Sequence, residues 1–188
     1  MASHRSENDK HNVRLSKALS WLLRHNLRLV SEITKNPVDP SGYVNVEDVL
    51  KLPRFAGYTV SQVEEVVKLN DKQRFSLRTE GKQLQIRANQ GHTVEGVNPD
   101  LKKLTEPFEM ETVVHGTYAK HLSLIMKNGL SRMKRNHIHF AKGLPGEDGV
   151  ISGMRRDCNV LIYVHLPTAT RGMCINIEKL IFSRFSLE

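Results

Sequence analysis

Residues 91–108, GHTVEGVNPDLKKLTEPF, interrupt the chain with a polar stretch that contains glycine and proline and has neither helical nor strand periodicity. Such a composition is typical of the segments in which domain boundaries fall. The chain has 188 residues, enough for two cores, because domains of roughly 80 to 100 residues fold alone. We therefore expect two domains, 13–98 and 99–188, preceded by a disordered polar tail over 1–12.

The helix predicted to begin near Val13 ends on a cation beside an imidazole. Its apolar residues recur at helical spacing and share one face. This face consists of Leu15, Ala18, Leu19, Leu22 and Leu23. Arg24 and His25 follow, with no acidic residue nearby. A basic residue that favours a helix C-terminus explains this ending, and so does a phosphate site in which the guanidinium supplies charge and the imidazole moves a proton.

Further helices and a basic hairpin complete the first half. A short strand at 43–44 precedes a helix that begins at Val46. Thr59 or Ser61 is the expected N-cap of the next helix, and Ser61 with Glu64 fits a capping box. The segment RFSLRTEGKQLQIRAN alternates apolar and polar residues around Glu80–Gly81, which predicts a hairpin. Helices followed by such a hairpin are typical of a winged-helix lobe, a common nucleic-acid platform.

Basic side chains flank this hairpin. If the segment NDKQRF is extended, Lys72 and Arg74 lie on the same side, because strand side chains alternate. After the hairpin, IRANQGHT supplies Arg87, Gln90 and His92, in a spacing that specifies no reaction. Ordinary polar positions on the outside of a hairpin explain these residues equally well.

The second half predicts short strands and helices in an irregular order. METVVHGT, HIHF and NVLIYVHL predict strands, and YAKHLSLIMKNG predicts a helix that Gly129 ends. This order indicates an α+β fold class, because a parallel sheet would need regular βαβ units. No G-x-G-x-x-G or Walker pattern is present, which argues against a Rossmann-type cofactor domain.

Several basic or imidazole side chains in the second half are candidates for a site. His115 ends a valine-rich strand, His137 and His139 would share a strand face, and Arg155 precedes an apolar strand. A third ligand at a typical metal spacing is missing, so we expect no metal. Because basic groups outnumber carboxylates here, the site would stabilise a negatively charged transition state, as in phosphoryl chemistry.

Charge and composition agree with an anionic partner. The 28 Lys and Arg residues exceed the 20 Asp and Glu residues, which gives a net charge of +8. The two cysteines, Cys158 and Cys174, have no metal-ligand spacing, which indicates a reducing compartment. No apolar run reaches the ~18 residues that span a bilayer, so we expect no membrane association and a cytoplasmic or nuclear location.

The order of the motifs resembles that of the NAD-dependent tRNA 2'-phosphotransferase family, the KptA type. The resemblance is carried by LSKALSWLLRH, GYVNVEDVL, NDKQRFSL, IRANQGHT, HGT, RNHIHF and GVISGMRRDCNV, and it covers about Leu15 to Val164. It implies an N-terminal winged-helix lobe and a C-terminal ADP-ribosyltransferase-like lobe, with the active site in the cleft between them.

The resemblance also implies the partners and the reaction. The 2'-phosphate at a tRNA splice junction would attack the nicotinamide ribose of NAD and release nicotinamide. The ribose 2''-hydroxyl would then attack the phosphorus, giving RNA with a 2'-hydroxyl and ADP-ribose 1'',2''-cyclic phosphate. The substrates would be a tRNA or RNA with an internal 2'-phosphate and NAD as co-substrate, with no metal, and we expect a monomer.

Matching the motifs residue by residue assigns three groups of site residues. The catalytic residues would be Arg24, His25, Arg74 and Arg155. The residues that bind phosphate or RNA would be Lys72, Arg87 and His92. The residues that bind NAD would be His115, Gly116, Thr117 and His139. Guanidinium groups suit this reaction, because they grip a phosphate with paired hydrogen bonds and keep their charge.

The C-terminal tail departs from the family pattern after about residue 172, where the chain continues CINIEKLIFSRFSLE. We expect the second lobe to be incomplete at this end, with an exposed sheet edge. Two other functions stay open from the sequence alone. One is a winged-helix nucleic-acid-binding protein without catalysis, and the other is an ADP-ribosyltransferase that acts on another phosphate or on protein.

Overall fold

The computed structural model divides into two units, residues 1–99 and 100–188. It describes residues 7–98, 113–144, 147, 154–155, 157–166, 175–176 and 181–182. The elements of the first unit are α1 (Glu7–His25), α2 (Arg28–Thr34), β1 (Val44–Asn45), α3 (Val46–Leu50), a 3-10 turn (Pro53–Phe55), α4 (Val60–Lys68), β2 (Phe75–Glu80) and β3 (Gln83–Ala88). Those of the second are β4 (Val114–Thr117), α5 (Ala119–Asn128), β5 (Ile138–His139), β6 (Val160–Tyr163), β7 (Ile175–Asn176) and β8 (Ile181–Phe182). Helices mixed with small antiparallel sheets confirm the α+β class.

Helix α1 supplies the centre of the core of the first unit. Its buried residues are the five that periodicity predicts, Leu15, Ala18, Leu19, Leu22 and Leu23. Each fully buried leucine contributes about 2 kcal/mol of hydrophobic stabilisation. The helix begins at Glu7, ahead of the predicted start near Val13, with Glu7 and Asp9 in its first turn. Acidic side chains there favour helix formation because of the helix dipole.

The end of α1 is fixed by Asn26. The Asn26 backbone N–H donates to Leu22 O at 2.9 Å, and its side chain donates to Trp21 O at 3.2 Å. Helix α2, which the sequence did not predict, starts two residues later at Arg28 and buries only Val30. The chain therefore turns immediately after His25, and this turn leaves the imidazole at the end of the helix.

Helix α4 carries a capping box, although at a different place from the predicted one. The Thr59 side chain accepts from the Gln62 backbone N–H at 3.3 Å, and the Gln62 side chain accepts from the Thr59 backbone N–H at 2.9 Å. Of the two predicted N-cap candidates, Thr59 is therefore confirmed, whereas the capping box of Ser61 and Glu64 is wrong. Both pairs fit the same spacing, but the helix begins at Val60, so only Thr59 lies at the N-cap.

Strands β1, β3 and β2 form an antiparallel sheet in that order. The predicted hairpin is confirmed: it pairs Phe75 with Ala88 and Glu80 with Gln83, so its turn is Gly81 and Lys82, one residue beyond the predicted Glu80–Gly81. One face of the sheet packs on the core through Phe75, Ile86 and Ala88. The opposite face carries polar side chains, in keeping with the period-two alternation of the sequence.

Among the described residues of the second unit, the strands form two small sheets. Strand β4 pairs with β6, and the order in the other sheet is β5-β8-β7. Val114 of β4 also bridges to Ala141, which follows β5. Helix α5 begins where the Asn159 side chain accepts from the Ala119 N–H at 2.9 Å, and ends at Gly129, as predicted.

The C-terminal tail contributes strands β7 and β8, which the sequence did not predict. They pair in register Ile175 with Phe182, while β8 also pairs with β5. The segment that follows residue 98, most of the segment VISGMRR, for which the sequence predicts a helix or a turn, and Cys174 lie outside the described residues. Within the part of the chain that is described, no helix is both long and apolar enough to cross a membrane.

Candidate functional site

The end of α1 is held by Thr93, a residue from the loop that follows β3. The Thr93 backbone N–H donates to Arg24 O at 2.9 Å. The Thr93 hydroxyl lies 3.0 Å from Nδ1 of His25 and 3.4 Å from Arg24 O. The last carbonyls of a helix lack intrahelical partners, and Thr93 supplies two donors to one of them. This contact also fixes the His25 ring, although His25 is on the surface.

The same loop passes against the side chain of Arg24. Gly91 has a φ of +83°, and a Cβ there would lie 3.5 Å from both Cδ and Nε of Arg24. Glycine occupies this left-handed region without steric cost. The backbone at Gly91 therefore turns next to the Arg24 side chain and leads into Thr93.

Arg74 lies at the other end of this loop. Its backbone O accepts from the Asn89 N–H at 2.9 Å, and its Nη1 donates to the Asn70 side-chain oxygen at 3.2 Å. The Asn89 side chain donates to Gln73 O at 2.7 Å and accepts from Ser76 Oγ at 2.6 Å. Asn89 thus connects the start of β2 to the start of the loop.

The segment 89–93, here called the 89–93 loop, therefore contacts three of the residues predicted to be catalytic. It meets the backbone of Arg74 at Asn89 and that of Arg24 at Thr93, where it also meets the side chain of His25. These contacts connect the end of α1 and the residue before β2, which are distant in sequence, to the same loop.

Lys72 lies in a turn, so the extended segment that would align it with Arg74 is not present. Gln73 has a φ of +40°, and its N–H donates to Asn70 O at 2.9 Å. This hydrogen bond closes the turn. The alternation used to place Lys72 and Arg74 on one side therefore does not apply, because it holds only for extended backbone.

Arg87 lies on the polar face of the sheet, over the ring of Tyr43. Its Cζ is 4.6 Å from the ring centroid, and that of Arg78 is 4.0 Å away. Arg78 also forms ion pairs with Asp39 at 3.5 Å and Glu80 at 3.0 Å, which offset its charge. The stack holds Arg87 against the sheet by cation–π attraction.

His92 is buried, with 3% of its surface exposed. Its Nε2 lies 3.6 Å from the position that a Cβ on Gly42 would take. A contact with phosphate or RNA requires access from solvent. The burial of His92 therefore argues against its direct contact with either. Its place in the loop, between Gly91 and Thr93, makes it part of the packing beneath the loop.

In the second unit, His115 is fixed by the strand next to it. Its Nδ1 lies 2.8 Å from His139 O, and its ring packs edge-on against Phe140 with centroids 5.5 Å apart. A carbonyl oxygen only accepts, so Nδ1 of His115 is the donor. In the neutral ring, Nε2 is then the nitrogen that is available as an acceptor.

Gly116 and Thr117 are covered by the segment that leads into β6. A Cβ on Gly116 would overlap the Met154 side chain and lie 2.7 Å from Cys158 Sγ. Thr117 is buried, and its carbonyl accepts from the Asn159 N–H at 3.1 Å. The glycine is therefore required by the packing of Met154, and this packing brings the segment containing Arg155 against β4.

Arg155 is exposed but held by Tyr118. Its Nη1 donates to the Tyr118 phenol oxygen at 3.4 Å, and the phenol donates to Asp157 at 3.0 Å. The hydrogen bond that Arg155 donates to Tyr118 raises the pKa of Arg155 above its ordinary value. The guanidinium is therefore positively charged at every pH at which the protein would be studied.

A metal site has no support among the described residues, which contain no group of three His, Cys, Asp or Glu side chains suited to one. His139 lies in β5, directly after His137 and Ile138. Burial lowers the pKa of His137, and the positive charge of Arg132 lowers it further. His137 therefore favours its neutral form.

Three residues that position the predicted site were missed by the sequence analysis. Thr93, Asn89 and Tyr118 act through hydrogen bonds to residues far away in the sequence. Thr93 directly follows His92, and Tyr118 directly follows the HGT motif. Their position next to predicted site residues in the sequence is the signal that could have identified them.

Comparison with known proteins agrees with the resemblance. A family model described as RNA 2'-phosphotransferase, Tpt1 / KptA family, matches residues 10–178. This range includes every predicted site residue and extends past residue 172. The match therefore continues into the tail, which was expected to depart from the family pattern after about residue 172.

Curated relatives show the same similarity over most of the chain. The tRNA 2'-phosphotransferase 1 of Danio rerio is 43% identical over 165 residues, which cover 86% of this chain and 72% of the relative. The protein of the same name from Mus musculus is 42% identical over 170 residues, 89% of this chain and 67% of the relative. The tRNA 2'-phosphotransferase of Saccharomyces cerevisiae is 39% identical over 171 residues, 86% of this chain and 73% of the relative.

Proposed function

We propose, because this chain belongs to the Tpt1/KptA family of RNA 2'-phosphotransferases, that it removes the internal 2'-phosphate which splicing leaves on a tRNA. The RNA would keep a 2'-hydroxyl at that position. NAD would supply the acceptor for the phosphate and leave as nicotinamide and ADP-ribose 1'',2''-cyclic phosphate. Binding of the phosphate, proton transfer and binding of NAD would be carried out by the side chains assigned below.

The architecture supports the two proposed lobes. In the first unit, helices α1 to α4 are followed by the hairpin of β2 and β3, with the short β1 on the sheet edge. This order of elements supports a winged-helix lobe that binds RNA. In the second unit, the HGT motif lies on an antiparallel strand, which supports an ADP-ribosyltransferase-like lobe.

The observation that carries the proposal is the contact of the 89–93 loop with Arg24, His25 and Arg74. Two arginines and one histidine are thereby connected through a single loop. We assign Arg24 and Arg74 to the phosphate, because a guanidinium binds phosphate oxygens in pairs and remains charged during transfer. His25 is then the group that moves a proton or donates to a phosphate oxygen.

The second unit has donors and acceptors that fit NAD. His115 presents an acceptor at Nε2, because its Nδ1 proton is used on His139 O. Such an acceptor suits a ribose hydroxyl or the carboxamide N–H of the dinucleotide. We therefore assign His115 and the neighbouring Gly116, Thr117 and His139 to NAD.

Arg155 completes the proposed catalytic set. Its guanidinium is exposed, charged and directed by Tyr118, which suits a negatively charged phosphate or pyrophosphate. Charge stabilisation by fixed guanidinium groups accounts for phosphoryl transfer without a divalent ion. Lys72 and Arg87 are assigned to more general contacts with the RNA backbone, because they carry positive charge on the same unit as Arg24.

The deciding experiment incubates the full chain with NAD and an RNA oligonucleotide that carries one internal 2'-phosphate. We expect RNA without that phosphate, one nicotinamide per phosphate removed, and a cyclic-phosphate product identified by mass spectrometry. The same RNA with a 2'-hydroxyl is the substrate control and should release no nicotinamide. RNA binding without nicotinamide release would instead support a nucleic-acid-binding protein without catalysis.

Matched arginine variants connect the activity to the site. Arg74→Gln should lower the rate by at least about 100-fold, a typical loss when one transition-state charge contact is removed. Arg14→Gln is the control, because Arg14 is exposed on α1 and has no part in the proposed site. Equal activity of the two variants would contradict the assignment of Arg74. Nicotinamide release with another phosphate acceptor, but not with this RNA, would support a different ADP-ribosyl transfer.

A further inference from the structure

We infer that Thr93 is a positioning residue that holds the His25 imidazole in one tautomer, with the proton on Nδ1 and the lone pair on Nε2. This inference rests on the proposed function, in which His25 acts on the RNA phosphate. Its structural part, the state of the His25 ring, can be tested independently of activity.

The argument begins with the proton of the Thr93 hydroxyl. The hydroxyl oxygen lies 3.4 Å from Arg24 O and 3.0 Å from His25 Nδ1. A carbonyl oxygen has no proton to give, so the contact with Arg24 uses the single hydroxyl proton of Thr93. When both contacts are made at once, the threonine oxygen accepts from His25, and Nδ1 of His25 carries the proton.

The opposite tautomer would break this arrangement. If the proton were on Nε2, Nδ1 would be an acceptor and the Thr93 hydroxyl would have to rotate towards it. The hydroxyl would then lose its contact with Arg24 O, which would retain only the Thr93 backbone N–H at 2.9 Å. Thr93 therefore favours the tautomer with the proton on Nδ1, because only then can its hydroxyl contact both Arg24 O and His25 Nδ1.

The tautomer decides what His25 can do. With Nδ1 protonated, Nε2 has a lone pair in the neutral ring and accepts a proton from an attacking hydroxyl. When the ring is positively charged, Nε2 donates to a phosphate oxygen while Nδ1 still donates to Thr93. In both states Nδ1 keeps the same partner, so the ring does not need to turn over between them.

The backbone makes Thr93 a rigid support. Its N–H is bonded to the end of α1, Gly91 turns the chain two residues earlier, and Asn89 anchors the loop to Arg74. Thr93 is partly buried, whereas His25 is on the surface. An exposed imidazole would otherwise rotate among several conformations, and a hydrogen bond from a fixed loop limits this freedom.

The first test reads the tautomer directly. Nitrogen chemical shifts of the imidazole rings are measured on the full ¹⁵N-labelled chain, at a pH where His25 is neutral and without substrate. The chain has nine histidines, so His25→Gln assigns the signals. We expect His25 to carry its proton on Nδ1 in the parent chain and in Thr93→Ser, and to move towards the Nε2 form in Thr93→Val.

The parent spectrum alone can overturn the inference. A neutral His25 with its proton on Nε2 would do so, whether or not any variant folds. An unchanged tautomer in a folded Thr93→Val chain would also do so. Valine keeps the shape of threonine and its backbone N–H, so circular dichroism should show an intact fold for this variant.

The second test measures turnover of the RNA with NAD. Thr93→Val should lower kcat about tenfold, as expected for the loss of one hydrogen bond, with KM values for both substrates within about twofold. Thr93→Ser should recover most of this loss. In a His25→Ala background, Thr93→Val should have no further effect, because its role passes through His25.

The two tests separate the possible failures. An inactive parent chain with His25 protonated on Nδ1 would contradict the proposed function and leave the positioning of His25 supported. An active parent chain in which Thr93→Val and His25→Ala reduce kcat independently would contradict the positioning role and leave the proposed function supported.

Discussion

Arg155 and Tyr118 form a guanidinium–phenol pair, in which Nη1 of the arginine donates to the phenol oxygen at 3.4 Å. The Arg155 Cζ also lies 5.8 Å from the centre of the Tyr118 ring. The phenol in turn donates a hydrogen bond to Asp157 at 3.0 Å. An exposed arginine is thus directed by a residue that follows the HGT motif, and the pair connects the predicted NAD-binding strand to the predicted catalytic arginine.

Tyr118→Phe should reduce turnover of a 2'-phosphorylated RNA about fivefold to tenfold. The change removes the hydroxyl that accepts from Arg155 and keeps the ring, and one hydrogen bond contributes about 1 kcal/mol. Steady-state kinetics with NAD and this RNA provide the measurement. Lys120→Ala is the control, because Lys120 also lies near the Tyr118 ring, at 5.6 Å, and does not contact Arg155. Turnover of Tyr118→Phe equal to that of the control would count against this role.

Gly91→Ala should affect both stability and activity, whereas Gly57→Ala should affect stability alone. Both glycines have a φ of +83°, so alanine is strained by a similar amount at each, about 1 to 2 kcal/mol. At Gly57 nothing lies within 4 Å of the added carbon, while at Gly91 the Arg24 side chain does. Urea unfolding and turnover measurements separate the two effects. A fully active Gly91→Ala would show that the loop does not position Arg24.

Thr59→Ala should lower the free energy of unfolding by about 1 kcal/mol, the usual effect of losing an N-cap side chain. Ser61→Ala should change it by less than about 0.5 kcal/mol, because Ser61 is an exposed residue inside α4. Urea denaturation of the two variants under identical conditions gives the comparison. A larger effect at Ser61 would place the start of α4 two residues later.

The free energy of unfolding should fall as the pH drops below about 6.5, in part because of His137. Burial and Arg132 lower the pKa of His137 in the folded chain, so the unfolded chain binds this proton more tightly. The loss therefore begins near the pKa of the unfolded chain and is complete once the pH is below that of the folded chain. His137→Gln should flatten this part of the pH dependence, measured by urea unfolding in a series of buffers. An unchanged slope would show that other groups cause it.

Local patterns predicted much of the first unit. The apolar face of α1 was predicted residue by residue, because a helix buries side chains that recur at its own period. The hairpin was found for a similar reason, since its strands alternate around a glycine turn. The start of α4 was predicted only to within two residues, Thr59 or Ser61, because Thr59 with Gln62 and Ser61 with Glu64 satisfy the same spacing rule.

Contacts between distant residues could not be predicted in this way. Thr93 and His25 are 68 residues apart in the sequence, and no periodic pattern connects them. The turn at Lys72 depends on the positive φ of Gln73, a conformation that non-glycine residues adopt only where the surrounding structure requires it. The charged side chains of the site could be predicted from the sequence. The groups that orient them could be identified only from the fold.

Because the 89–93 loop joins α1 to β2, its length is a strict requirement. One inserted residue there would lengthen the chain between the contact of Asn89 with Arg74 and that of Thr93 with Arg24, so the loop could no longer make both contacts with its present backbone. The tip of the hairpin at Gly81 and Lys82 is exposed, and an added carbon on Gly81 would meet no other atom within 4 Å. Peptide tags or fluorescent labels for this protein therefore belong at that tip, where lengthening the chain leaves the arginines and the imidazole in place.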